Sequence, residues 1–103
     1  MRSRNTGPTT FLVLKKLADL PPDECYGGKL FDELKDFFNE EIGISQLYVI
    51  LKRLQTRGHV TVRQGKSPVC GFHKIKLYSL TVSGERELAD ANAFYRKIGE
   101  YTS

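Results

Sequence analysis

The chain has 103 residues, 40% of them apolar and 27% charged, and its 16 Lys and Arg against 12 Asp and Glu give a formal net charge of +4. This is one small domain with one hydrophobic core, too apolar and aromatic for a disordered chain. No window approaches the ~20 apolar residues that a membrane-spanning helix needs, and two cysteines make no disulfide framework, so a cytoplasmic protein without a membrane partner is expected. The basic start is followed by an apolar run, Phe11 to Leu14, that Lys15 and Lys16 soon break, which does not read as a secretory signal. Residues 1–7 are expected to form a mobile basic arm.

A first helix is expected from Pro8 to about Asp19, stopped by Pro21-Pro22. Phe11, Val13, Leu14, Leu17 and Leu20 make it apolar over more than one face, which in so small a domain points to a partner subunit as the second surface. After a turn at Asp23 to Tyr26, a second helix should run from about Gly27 to Asn39, with Leu30, Leu34 and Phe37 as its inward stripe. The third, about Ile44 to Arg57, is the clearest amphipathic element: Leu47, Ile50, Leu51 and Leu54 fall on one stripe. At 100° per residue, Ser45, Val49, Lys52 and Thr56 cluster opposite that stripe, flanked by Gln46, Arg53 and Tyr48. Gly58 supplies a left-handed stop.

A strand is then expected at His59 to Arg63, a loop at Gln64 to His73, and a second strand at Lys74 to Leu80, the two strands pairing as a hairpin. Thr81 is placed to cap a last helix, roughly Val82 to Glu100. Its Leu88, Ala91, Tyr95 and Ile98 form a seam of about two heptads suited to pairing between subunits.

Charge follows this layout. Between Ile42 and Gly84 stand seven basic residues (Lys52, Arg53, Arg57, Arg63, Lys66, Lys74 and Lys76) and no acidic one. The preceding stretch has six basic and eight acidic residues and the following stretch three and four, so a +7 centre lies between flanks of −2 and −1. A cationic segment on a helix and the hairpin after it is the footprint of a nucleic-acid binder. The expected fold is mainly α with a small β-hairpin, in the order ααα-ββ-α of a winged helix-turn-helix, dimerising through its first and last helices. The plainer reading of the charge is a solvated surface.

The segment Leu47 to Val60, "LYVILKRLQTRGHV", resembles the signature of the PadR-like transcriptional regulators: Leu47-Tyr48, Leu51, Arg53-Leu54, Gly58 and Val60 occupy its places. Tyr78, Leu80-Thr81 and Gly84 match the family's wing end and last-helix start, and Gly27, Leu30 and Leu34 its second-helix opening. The likeness covers about residues 9–90. Val49 stands where proline is usual, Ser45 where glycine is common, and the wing lacks the arginine-rich run. The chain ends soon after its last helix, which resembles the short members that dimerise through one C-terminal helix. Residues 8–81 would form the DNA-binding domain and 82–103 the dimerisation helix.

The resemblance implies a homodimer on double-stranded DNA. On the third helix, Ser45, Gln46, Val49, Lys52 and Arg53 are groove-facing candidates: glutamine can bond adenine, arginine guanine, and valine a thymine methyl. Tyr48, as the family tyrosine, would bond a phosphate or sugar, or else cover the helix edge against the hairpin. Thr56 and the wing residues Lys66, His73, Lys74 and Lys76 would neutralise phosphates. Arg57 is as well explained by the helix dipole. The dimer contacts expected are Phe11, Leu14, Leu88, Ala91, Tyr95 and Ile98.

Some members of the family respond to aromatic compounds, and Phe11, Phe31 and Phe38 could line a cavity for such an effector between subunits; core packing is the plainer assignment. Cys70 and His73 are metal-ligand types at close spacing but need two more ligands, with Cys25 and His59 the other Cys and His available, so no metal or other cofactor is expected. No nucleophile triad, phosphate-cradling loop or nicotinamide fingerprint is visible, and an enzyme is not expected. The competing function is a winged-helix adaptor that binds protein or RNA without specific DNA readout.

Overall fold

Pro8 opens the first helix, where its missing N–H removes no intrahelical bond. The computed structural model describes residues 7–38, 42–67, 71 and 73–102. Its order is α1 (Pro8–Asp19), a single 3-10 turn (Pro22–Glu24), α2 (Gly27–Phe38), α3 (Ile44–Thr56), β1 (Val60–Lys66), β2 (Lys74–Leu80) and α4 (Val82–Thr102). Three helices, an antiparallel hairpin and a closing helix make a winged helix-turn-helix. The expected arm falls, except for Gly7, outside the described residues, as do Asn39 and Cys70. No described helix is long and apolar enough to cross a membrane.

One core joins these elements. Val13, Leu14 and Leu17 of α1, Leu30, Leu34 and Phe38 of α2, and Leu47, Ile50, Leu51 and Leu54 of α3 meet Val60 and Tyr78 of the hairpin. A fully buried leucine such as Leu51 contributes about 1.5–3 kcal/mol relative to an exposed one. The α3 stripe is the expected one. On α2 the stripe is corrected: Phe38 is buried and Phe37 is 63% exposed. Phe31 stands on the Phe38 side of the stripe, and their ring centroids lie 6.3 Å apart. This aromatic pair turns the buried face its way and leaves Phe37 past the other edge.

Arg57 is the C-cap of α3 rather than its last turn, its N–H donating to Arg53 O, and Gly58 follows at φ 83°. The first strand is also corrected. It begins at Val60 and continues to Lys66, three residues beyond the expected Arg63, with Val60 opposite Leu80 and Lys66 opposite Lys74. Gly65 reads as a loop signal, yet it sits inside the ladder opposite Ile75, where a Cβ would collide with Leu77 Cδ1. Glycine is there for close approach of a buried leucine, not for a turn.

Thr81 caps α4 as expected: its Oγ1 accepts from Gly84 N–H at 3.0 Å and donates to Gly58 O at 2.6 Å. Thr81 N–H donates to His59 O at 3.0 Å, and His59 N–H to Leu54 O at 2.9 Å. The end of α3, the start of β1 and the start of α4 are thereby tied at one point. α4 then lies against α1. Ala91 is fully buried, Leu88 packs on the core and Tyr95 meets Phe11 with ring centroids 5.0 Å apart. Two of the expected dimer contacts are corrected by this arrangement: Leu14 and Ala91 are both 0% exposed within a single chain and offer no surface to a partner. Farther along α4, Phe94 and Ile98 keep 41% and 43% of their surface exposed.

Cys25 follows the 3-10 turn, 2% exposed, with its thiol 3.4 Å from Pro21 O and 3.7 Å from Leu17 O. Burial above all, with the nearby carboxylates of Glu24 and Asp23, pushes its pKa above the ordinary 9.0, partly opposed by Arg63.

Two outcomes are expected. Thr81→Val keeps the shape but removes the cap and the Gly58 bond, so the urea midpoint should fall by the equivalent of about 1–2 kcal/mol with an unchanged slope. The folded Cys25 thiol holds its proton above the pH at which the unfolded thiol releases it. Stability should therefore be intact below pH 9 and decline as pH rises beyond it. Thermal midpoints from neutral to alkaline pH should show a shallower decline in Cys25→Ala than in the parent; parallel declines would assign the loss to other groups.

Candidate nucleic-acid interface

The buried α3 stripe decides which side chains the helix can offer. With Leu47, Ile50, Leu51 and Leu54 held in the core, Ser45, Gln46, Tyr48, Val49, Lys52, Arg53 and Thr56 all stand exposed. The face mixes hydroxyl, amide, cation and an apolar Val49 that is 52% exposed. Such a face offers hydrogen-bond donors and acceptors, together with a methyl contact, to base edges.

Tyr48 has a further role. A Cβ placed on Gly27 would collide with its hydroxyl and lie 2.6 Å from its ring Cε1, so the ring lies across the first residue of α2. The alternative expectation for Tyr48, covering the helix edge against the hairpin, is corrected in its partner: the ring lies on Gly27 of α2. Its ring also borders a cleft of about 250 Å³ whose other walls include Gly28, Lys74, Lys76 and Tyr78. Burial raises the Tyr78 pKa above its ordinary 10.0, with a smaller contribution from Tyr48.

The wing brings its lysines together. Lys66 lies directly opposite Lys74, and Lys76, two residues on, stands on the same face of the hairpin as Lys74. His73 is exposed at the base of the connecting loop, where its carbonyl accepts from Ser67 N–H at 2.9 Å.

The charges around the interface are sorted by element. The described ion pairs are Lys16–Glu33, Lys29–Glu24, Lys29–Glu33 and Lys35–Asp32, confined to α1, α2 and the turn between them. Among the described residues none involves Lys52, Arg53, Lys66, Lys74 or Lys76. Glu24, Asp32 and Glu33 are thus engaged by neighbouring lysines, and the cations of α3 and the wing remain open to an anionic ligand.

Several candidates are not brought together. Phe11 pairs with Tyr95 and Phe31 with Phe38, so the three phenylalanines proposed for an effector cavity are divided between two packing pairs. His59 Nδ1 is 2.8 Å from Ser83 Oγ, and the Cys25 thiol is turned to backbone carbonyls. Cys70, the remaining metal candidate of the loop, lies outside the described residues. Two residues were given no site role by the sequence, although Tyr78 matches the family's wing end. Tyr78 follows Lys74 and Lys76 at steps of two, a spacing that signals a shared face, but its burial comes only from the packing of β2 against α1, the 3-10 turn and α4. Phe94 sits one position off the seam on α4, and only the burial of Ala91 shows which side of that helix stays open.

Residues 13–90 match the transcriptional regulator PadR-like family. A PadR family transcription regulator from Clostridium difficile has a similar solved structure, with a TM-score of 0.76 at 20% identity over 92% of this chain and 94% of that one. A PadR-like transcriptional regulator from Bacillus cereus gives 0.78 at 18% identity over 91% and 86%. Both likenesses bear on the fold. PadR of Bacillus subtilis, solved in complex with operator DNA, gives 0.63 at 27% identity over 80% of this chain and 46% of that longer one. A comparison with curated proteins found no match.

Proposed function

Because the chain belongs to the PadR-like family of transcriptional regulators, we propose that it binds double-stranded DNA sequence-specifically as a homodimeric repressor on a palindromic operator. The observation that carries this reading is the exposed, acid-free face of α3, continued by wing lysines without intramolecular ion pairs among the described residues. The operator complex of the Bacillus subtilis relative adds support for the class of ligand.

In this mechanism α3 enters a major groove. Gln46, Lys52 and Arg53 read base edges, Ser45 and Val49 fill the groove beside them, and Tyr48 and Thr56 hold the backbone. Lys66, His73, Lys74 and Lys76 of the wing neutralise phosphates and set the register of α3 on the duplex. Dimerisation uses the projecting part of α4, where Phe94 and Ile98 are exposed, with Phe11, Leu88 and Tyr95 bracing that helix against its own domain. Two-fold symmetry then places half-sites about 34–36 Å apart, or a multiple of that spacing.

Selection of bound fragments from a random duplex pool at about 150 mM salt tests the reading. A palindromic motif is the expected result; no enrichment by a folded protein would favour an adaptor role. On the selected site, Arg53→Ala should cost about 1–3 kcal/mol and relax preference at one base position, whereas Lys74→Ala should weaken all sequences alike and lower the salt slope by about one phosphate. Sequence-blind losses in both would remove Arg53 from base reading. For the dimer, Ile98→Asp should lower the sedimentation coefficient to that of a monomer and abolish operator binding. An unchanged coefficient would put the interface elsewhere.

A further inference from the structure

Lys74, Lys76 and Tyr78 follow one another at steps of two along β2 and so share one face of the hairpin. The row runs from exposed lysines to Tyr78, which is 5% exposed and belongs to the core. All three border the 250 Å³ cleft, with Tyr48, Gly27 and Gly28 also among its walls.

Three hydrogen-bond donors at this cleft are unsatisfied among the described residues. The Tyr78 hydroxyl has no bonding partner among the described residues although the residue is 5% exposed, and a buried polar group is rarely left without a ligand or water. The backbone N–H groups of Gly27 and Gly28 open a helix of 12 residues with no acid in its first turn, and neither donates to a carbonyl or side chain. Among the described residues no carboxylate lines the cleft. Donors from several directions, two ammonium groups and the positive end of a helix suit a tetrahedral anion.

Resting on the DNA-binding reading above, we propose that this cleft seats one phosphate group, the phosphodiester beside the groove that α3 enters, with the Tyr78 hydroxyl as a donor at its buried end. Gly27 and Gly28 donate from the start of α2, and Lys74 and Lys76 supply the charge. Burial keeps the phenol protonated, and hence a donor, at neutral pH. The seat would fix the position of the wing relative to α3 on the backbone, a role separate from base reading.

The test uses the full chain and a selected duplex in which single phosphodiesters are replaced, one position at a time, by neutral methylphosphonate. Tyr78→Phe should bind the unmodified duplex roughly ten- to a hundredfold more weakly, alike for all sequences, with an unchanged salt slope because no charge is removed. At one backbone position per half-site the methylphosphonate should erase the difference between variant and parent. Lys76→Gln should be erased at the same position, which keeps the test informative if Tyr78→Phe does not fold. Binding of folded Tyr78→Phe within about twofold of the parent, or a loss that persists at every modified position, would overturn the seat. If the parent binds no duplex, titration with inorganic phosphate followed by phosphorus NMR separates the two readings. Saturation in the parent and its loss in Tyr78→Phe would keep a phosphate seat without DNA; no saturation would remove it.

Discussion

The arrangement of this molecule depends on one threonine. Thr81 donates to the carbonyl of Gly58, caps α4 through Gly84 N–H, and through its own N–H holds the carbonyl of His59. Those bonds join the end of the recognition helix, the root of the wing and the first turn of the closing helix. The left-handed Gly58 makes this possible, because it turns the chain sharply enough for its carbonyl to face Thr81. The angles between α3, the hairpin and α4 are therefore set within a few residues, and a side chain carried on any of them has a defined place relative to the others.

Burial and charge then divide the labour among the helices. The α3 stripe spends its leucines on the core, so the composition of the opposite face is free to serve recognition. No acidic residue stands between Ile42 and Gly84, and those of α2 are largely held by Lys16, Lys29 and Lys35. Surface ion pairs of this kind add little stability. Their consequence here is electrostatic: Glu24, Asp32 and Glu33 are engaged by local lysines, and α3 and the wing carry only positive charge. A protein that must approach a polyanion gains from that separation in attraction and orientation.

α4 is two devices in one helix. Up to Tyr95 it is a core element, with Ala91 buried and Phe11 against the tyrosine ring. Its other side carries apolar surface outward at Phe94 and Ile98. Since the same helix begins at the Thr81 junction, a partner held by its far end is geometrically coupled to the recognition helix. In a dimer, the separation and tilt of the two α3 helices would follow from this coupling.

The chain itself determined the order of elements, the α3 stripe and its exposed face, the Thr81 cap and the Gly58 stop, because each rests on local rules: helical period, capping chemistry and backbone sterics. The family likeness was legible for the same reason, since its motifs lie in these local features. Tertiary structure decided what depends on neighbours distant in sequence. Phe38 rather than Phe37 is buried because Phe31 lies beside it, and Gly65 is a strand residue because Leu77 needs its space. Ala91 and Leu14 belong to the chain's own core because α4 folds back on α1. The cleft between Tyr48, Gly27 and Tyr78 has no local signature at all, for it exists only where three elements meet. Periodicity tells which residues share a face, but what that face meets is settled by packing.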